Sequence, residues 1–315
     1  MTLRQCEAFL AVVKAGSFRR GAELLHISQP SLSQHVRELE EEFGVRLLDR
    51  LGRRVALTPA GRVVEEHARR LFATIADARD HVNELMGLQR GSLMIGASTT
   101  PGIYVLPKVI ATYRSRYPAI QVTLRIANSQ LIEERIRAHE FDLGVIGGHM
   151  LGPGEDCLAA GLVDELVLVV PPTHRWGRRR HVDLAELADV ALLMREEGSA
   201  TRAVTERALR QHGVRFSVAM ELGHVEAIKQ AVMAGLGVAF LSTHAIRAEA
   251  AAARLHVVRL RGVEVRRHFH VIHGLGRRIP ATAQALLDLL TAAPAPQRSR
   301  RRTSVETAST TVTLA

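Results

Sequence analysis

Ser17-Phe18-Arg19-Arg20-Gly21-Ala22-Glu23-Leu24-Leu25-His26-Ile27-Ser28-Gln29-Pro30-Ser31-Leu32-Ser33 is the stretch on which the reading of this chain turns. Residues 3–15, just before it, read as a helix with Phe9, Val12 and Val13 on its apolar face, ended by Gly16. Ser17 is a good N-cap for a second helix over 18–25. After a short turn, Ser28 caps a third helix, with Pro30 in its first turn, where a missing N–H costs nothing. Leu32, Val36, Leu39 and Phe43 recur at spacings of 4, 3 and 4, which predicts one inward stripe. The opposite face carries Gln29, Ser31, Ser33, Gln34 and Arg37 near the N-terminus, polar groups able to bond base edges or phosphates in a major groove. Downstream, Asp49-Arg50-Leu51-Gly52-Arg53-Arg54-Val55 places a glycine turn and arginines between apolar segments, as a basic hairpin would. A solvated helical hairpin with a charged loop fits these residues equally well.

That stretch, with Leu39-Glu40-Glu41, Gly44, Leu47, Arg50, Arg53 and Leu57-Thr58-Pro59-Ala60-Gly61, resembles the winged helix-turn-helix of LysR-type transcriptional regulators. The likeness is continuous over about 60 residues with spacings intact. One departure is Gly21, where the family usually has alanine, at about 1 kcal/mol of helix propensity. The resemblance implies that residues 28–37, among them Ser28, Gln29, Pro30, Ser31, Ser33, Gln34 and Arg37, read the major groove. It also implies that Arg19, Arg20 and the wing arginines Arg50, Arg53 and Arg54 hold phosphates or enter the minor groove. The partners it implies are double-stranded DNA at promoter inverted repeats and RNA polymerase.

Residues 59–88 form one helical pattern without internal proline, opened by Pro59. Val64, Ala68, Leu71, Ile75, Ala78, Val82 and Leu85 alternate spacings of 4 and 3, a 3.5-residue period that calls for a partner helix. About 30 residues at 1.5 Å each span ~45 Å, more than a small winged domain can cover, which favours dimerisation over packing within the chain. The resemblance implies a homodimer or homotetramer.

Residues 91–291 alternate short apolar runs (93–97, 122–127, 143–147, 167–170, 191–194, 238–241) with helical patterns at 102–117, 131–138, 201–212 and 225–234. Such alternation predicts α/β architecture with mostly parallel sheets, in two lobes rather than one. Polar clusters follow the predicted strands: Ser98-Thr99-Thr100, Asn128-Ser129, Gly147-Gly148 and Glu197-Gly198-Ser199-Ala200-Thr201-Arg202, while His224 precedes a helix containing Lys229. Each alone reads as a helix cap; together they suit a cleft where helix starts meet an anion.

The LysR resemblance implies an effector domain like type 2 periplasmic binding proteins, lobe one at 91–160 and 266–291 and lobe two at 161–265. The sequence around 198–202, 226–232 and Gly235-Leu236-Gly237 resembles the branch that regulates Calvin-cycle carbon-fixation operons, neighbouring the sulfur-assimilation branch; Val225 stands where that branch usually has asparagine. Both sense small anionic metabolites. The expected effector-binding residues are Ser98, Thr99, Thr100, Asn128, Gly147, Ser199, Thr201 and His224, with Arg202 or Lys229 supplying positive charge.

The 315 residues carry 42 Lys and Arg against 32 Asp and Glu, a net of +10. That excess divides as +2 over 1–90, +5 over 91–291 and +3 over 292–315, so bulk charge alone says little about nucleic acid. The arginine-rich, then Ser/Thr-rich tail 292–315 has nothing to bury and is expected to be disordered. Two cysteines, Cys6 and Cys157, exclude a disulfide framework. No export signal and no run near ~18 apolar residues is read, so a cytoplasmic protein without membrane contact is expected. No Gly-x-Ser-x-Gly elbow, phosphate loop or Gly-x-Gly-x-x-Gly is present, and neither catalysis nor a cofactor is expected. His268, His270 and His273 lie on an alternating, strand-like run and read as structural rather than metal-binding. The alternative reading is a two-lobed solute receptor with no transcriptional role.

Overall fold

Capping chemistry lays out the first domain. Thr2 and Gln5 form a reciprocal capping box on α1 (Leu3–Ala15), and Gly16 ends it at φ +66°. Ser17 Oγ accepts from the Arg20 N–H to start α2 (Phe18–Leu25), and Ser28 Oγ accepts from the Ser31 N–H to start α3 (Gln29–Phe43). Phe9, Val12, Ala22, Leu32, Val36, Leu39 and Leu47 form their shared core. Phe43 departs from the expected stripe and is exposed, because Leu39 is the last residue of that row which the core covers. Gly21 has a packing reason: a Cβ there would lie 3.1 Å from the Val12 amide nitrogen, so glycine lets α2 approach α1.

The wing is an antiparallel pair, β1 (Leu48–Leu51) and β2 (Arg54–Leu57). Glu40 Oε1 accepts from the N–H groups of Leu47 and Leu48 at 2.8 and 3.1 Å, tying the hairpin to α3. Thr58 Oγ1 accepts from the Gly61 N–H at the start of α4 (Pro59–Leu85). A Cβ on Gly61 would fall 2.0 Å from the Leu47 carbonyl oxygen, so glycine is what allows the helix to press on the wing. Along α4, Val64 is buried in the first domain's core and Ala68 is also buried, Leu71 and Ile75 are half-buried, and Ala78 and Val82 are exposed. Arg69 bridges Glu65 at 2.8 Å and Glu140 of the second domain at 3.0 Å.

The computed structural model describes residues 1–51, 54–85, 91–148, 150, 155–275 and 278–292. The expected extension of the long helix to 88 and the tail from 293 lie outside the described residues. The second domain runs β3 (Gly91–Ser98), α5 (Thr99–Tyr104), α6 (Leu106–Arg116), β4 (Ile120–Ala127), α7 (Ser129–Arg137), β5 (Leu143–Ile146), β6 (Glu155–Val170) and β7 (His181–Val182). It continues with β8 (Leu192–Arg195), α8 (Ala200–Gln211), β9 (Val218–Leu222), α9 (Val225–Met233), β10 (Val238–Ser242), α10 (Arg247–Ala251), β11 (His256–Leu260), β12 (Val265–Gly274) and α11 (Ala281–Ala292). The main sheet has the order β4-β3-β5-β12-β6-β10-β8-β9.

Pairing is parallel within β4-β3-β5 and β10-β8-β9, but antiparallel where β12 meets β5 and β6 and where β6 meets β10. The expected mostly parallel sheet is therefore mixed. The reason is topological: β6 leaves the first lobe and β12 returns to it, so these two long strands run side by side in opposite directions. Each lobe keeps its own core, Leu93, Ile95, Tyr113 and Leu286 in one and Leu168, Trp176, Phe240 and Val265 in the other. The helix expected over 102–117 is two, α5 and α6; Pro107 has no N–H to offer the Ile103 carbonyl, so the first helix stops before it.

Candidate DNA-reading surface and inter-lobe site

On α3, Gln29, Gln34 and Arg37 are exposed and Ser31 and Ser33 half-exposed. Gln29, Ser33 and Arg37 recur every four residues and so form one row along the helix, flanking the buried stripe of Leu32, Val36 and Leu39. Ser28 is exposed but its hydroxyl oxygen accepts from the Ser31 N–H, and Pro30 lies in the first turn; both shape the helix start. Gln5 and Gln34 amides donate to Glu38 and hold its carboxyl below the ordinary carboxylate range. Arg19 and Arg20 are exposed on α2, and the Arg19–Glu23 pair at 3.2 Å is too solvated to restrain the guanidinium. Arg50 and Arg54 occupy facing wing strands, in register with Val55 and Leu51. Arg53 lies outside the described residues.

Between the lobes, residues from both sides converge on one buried cation. Arg267, on β12, is 4% exposed; its Nε donates to Asp164 Oδ2 at 2.8 Å, its Nη1 to Thr201 Oγ1 at 2.9 Å and its Nη2 to Thr100 Oγ1 at 3.0 Å. Asp164 is fully buried on β6 and accepts from Ser242 Oγ at 2.6 Å. Burial pushes the Arg267 pKa down, against the pull of Asp164. Arg195 is the second buried cation: it donates twice to Glu196 and, at 3.3 Å, to Thr99 Oγ1. Ser98 Oγ accepts from the Gly147 N–H at 3.0 Å. A Cβ on Gly147 would sit 2.7 Å from Arg267 Nη1, so glycine makes room for the guanidinium.

The lobes also touch through backbone. Asn128 accepts from the Leu131 N–H to cap α7 and donates to the Glu197 carbonyl at 3.3 Å, while the Gln130 N–H donates to the Gly198 carbonyl at 3.1 Å. Ser199 begins α8 with a side chain that makes no cap bond. The N-termini of α7 and α8 thus face each other across hydroxyls and two guanidinium groups, an arrangement suited to a small anion. Side chains pack this cluster so closely that a water-sized molecule finds only about 10 Å³ in which to place its centre, so a larger ligand must displace arginine–threonine bonds or part the lobes.

The structure therefore brings Ser98, Thr99, Thr100, Asn128, Gly147, Ser199 and Thr201 to the cluster. It places the two expected cations elsewhere. Arg202 is held by Glu206 and Glu221 and donates to the Arg195 carbonyl. Lys229 pairs with Glu226 and Glu249 at 2.8 and 2.7 Å; burial opposes its charge, but the two carboxylates outweigh it and raise its pKa. His224 caps α9, its Nδ1 accepting from the Glu226 N–H. The cations that do lie at the cluster, Arg195 and Arg267, were legible only in part. Arg195 directly follows the predicted strand 191–194 and precedes the 197–202 turn, a position that could have been read; Arg267 gave no signal because its partner Asp164 is 103 residues away.

Among the described residues, no group of three or more His, Cys, Asp or Glu is placed to hold a metal ion, and no helix is long and apolar enough to cross a membrane.

A three-helix core with a basic wing, a 27-residue helix and a two-lobed sensor define a ligand-responsive DNA-binding protein. Residues 3–62 match the model of the bacterial regulatory helix-turn-helix protein, lysR family, and residues 86–295 that of the LysR substrate binding domain. The chain belongs to the LysR family of transcriptional regulators. It is 34% identical over 291 residues to the RuBisCO operon transcriptional regulator of Allochromatium vinosum, covering 92% of this chain and 95% of that one. The regulatory domain of Synechocystis CcmR, solved in complex with 2-PG, is 29% identical, with a TM-score of 0.60 over 64% of this chain and 97% of that one. Full-length OxyR of Pseudomonas aeruginosa shares the fold at 23% identity and a TM-score of 0.74, covering 96% and 99%. Nothing supports the alternative of a receptor without transcriptional role: the winged domain is present and the relative similar over nearly its whole length is a regulator.

Proposed function

We propose that this chain regulates carbon-fixation genes in response to a small anion bound between its lobes. The observation that carries the reading is the buried Arg267, shared by Thr100 of one lobe and Thr201 of the other. The 2-PG complex of the CcmR regulatory domain supports an anionic ligand of that size. Residues 1–58 would read promoter inverted repeats through α3 and the wing, and 59–88 would join two subunits into a homodimer or the halves of a tetramer. The sensor would span 91–291, divided at 160 and 265. The regulator would act in the cytoplasm, on RNA polymerase at the promoter.

Two measurements test this. Gln29→Ala and Ser33→Ala each weaken binding to the operator by about 1–3 kcal/mol while leaving random-sequence binding unchanged, since base contacts carry specificity. Equal losses on both DNAs, in salt-matched gel shifts, would overturn the assignment of α3. In the sensor, Thr100→Ala removes the hydroxyl that Arg267 holds in place and with it a hydrogen bond to a charged group, about 1.5–3 kcal/mol, or roughly tenfold to a hundredfold in affinity for 2-PG by calorimetry. DNA affinity without ligand is unchanged, because Thr100 belongs to the sensor domain and α3 to the winged domain. An unaltered 2-PG isotherm would place the effector outside this cluster.

A further inference from the structure

A second cavity, of about 460 Å³, lies between α8, β12 and the Gly147–Gly148 turn. Its origin is a matter of side-chain size. The face of α8 turned towards β12 presents Ala200, Ala203 and Ala208, which leave space where larger residues would fill it. Strand alternation does the rest: Val265, Arg267 and Phe269 are buried, while Arg266 and His268 point outward and His270 is half-buried, all three lining the cavity.

The lining is unusually basic. Arg207 reaches in from α8, is exposed, and has no acidic partner among the described residues. Arg266 is paired with Glu264 at 2.9 Å, but both side chains are about half or more exposed, so that pair is weak and easily redirected. Among the described lining residues, Glu264 is the only carboxylate. Arg267 forms a wall in common with the inter-lobe cluster, its own charge already balanced by Asp164.

We propose that this cavity is a second anion site, which takes a small multiply charged ligand of the phosphate-ester class with Arg207 as its principal cation. Arginine offers paired N–H donors that match phosphate oxygens, and the two neighbouring histidines add donors at the same mouth. A ligand seated there touches α8 of one lobe, the connecting strand β12 and Gly148 of the other lobe, so its binding would oppose separation of the lobes. The site does not depend on the inter-lobe reading; Arg207 is absent from that cluster.

Calorimetric titration of the full chain with inorganic pyrophosphate tests the proposal. Arg207→Glu is expected to weaken binding at least tenfold, and His268→Ala severalfold. Arg210→Glu makes the same charge change on the same helix outside the cavity and should leave the isotherm within twofold of the parent. Both arginines are exposed, so neither change threatens the fold, which a thermal melt confirms. Absence of pyrophosphate binding by the parent overturns the site, as does equal weakening by Arg207→Glu and Arg210→Glu, which would mark diffuse electrostatic attraction. Unchanged binding in Arg207→Glu likewise overturns it and places the anion elsewhere.

Discussion

Replacing Arg267 with alanine is expected to destabilise the sensor by about 3–5 kcal/mol, the range for removing one partner of a buried ion pair. Asp164 would remain fully buried with Ser242 as its named side-chain donor, and Thr100 and Thr201 would each lose a donor. At about 2–4 °C per kcal/mol for a domain of this size, the calorimetric transition of the sensor falls by roughly 6–20 °C. The companion test is the double variant Asp164→Asn with Arg267→Met. With no charge left unpaired it should recover most of the loss, since much of the penalty belongs to the orphaned carboxylate. A single-variant shift under about 1 kcal/mol would mean that the pair is solvated in solution. The double variant should also fail to bind 2-PG, which separates the pair's contribution to folding from its contribution to the site.

The other large effect belongs to α4. Leu71→Asp with Ile75→Asp should convert the assembly to monomers at micromolar concentration by light scattering, with the dimer Kd raised about a thousandfold or more. A two-fold helix pair would bury four carboxylates, each costing several kcal/mol unless it takes up a proton. Leu71 and Ile75 are only half-buried, and Ala78 and Val82 beyond them are exposed, so among the described residues of one subunit the apolar seam is not fully covered. Val64, at the start of the same seam, behaves differently: it is part of the first domain's own core. Substituting it would disturb the winged domain rather than test assembly. Retention of the oligomer in the Leu71, Ile75 variant would move the interface to the lobes.

Local chemistry made the first domain legible. Caps at Ser17 and Ser28, the glycine at 16 and the 4-3 spacing in α3 are short-range signals, and they specify helices whose positions differ little from those read along the chain. The same holds for strands with continuous apolar runs, such as 93–97 and 238–241, which lie within β3 and β10. Strand β9 was silent because its side chains are largely exposed on the sheet's edge, so no buried period marks it.

While the winged helix-turn-helix was chosen over a plain helical hairpin by the LysR resemblance, sequence by itself determined the three short helices of the first domain, the long amphipathic helix, the α/β character of the sensor and the hydroxyl-bearing turns at its strand ends. These depend on residues within a few positions of one another. The tertiary structure alone decided which charges meet those turns. Arg202 and Lys229 stand next to the right turns in the chain, yet nearby carboxylates on their own lobe claim them. Arg267 is brought to Thr100 across 167 residues and to Asp164 across 103 because β6 and β12 cross between the lobes side by side. A buried guanidinium needs its counter-ion, and only the folded sheet brings the two together.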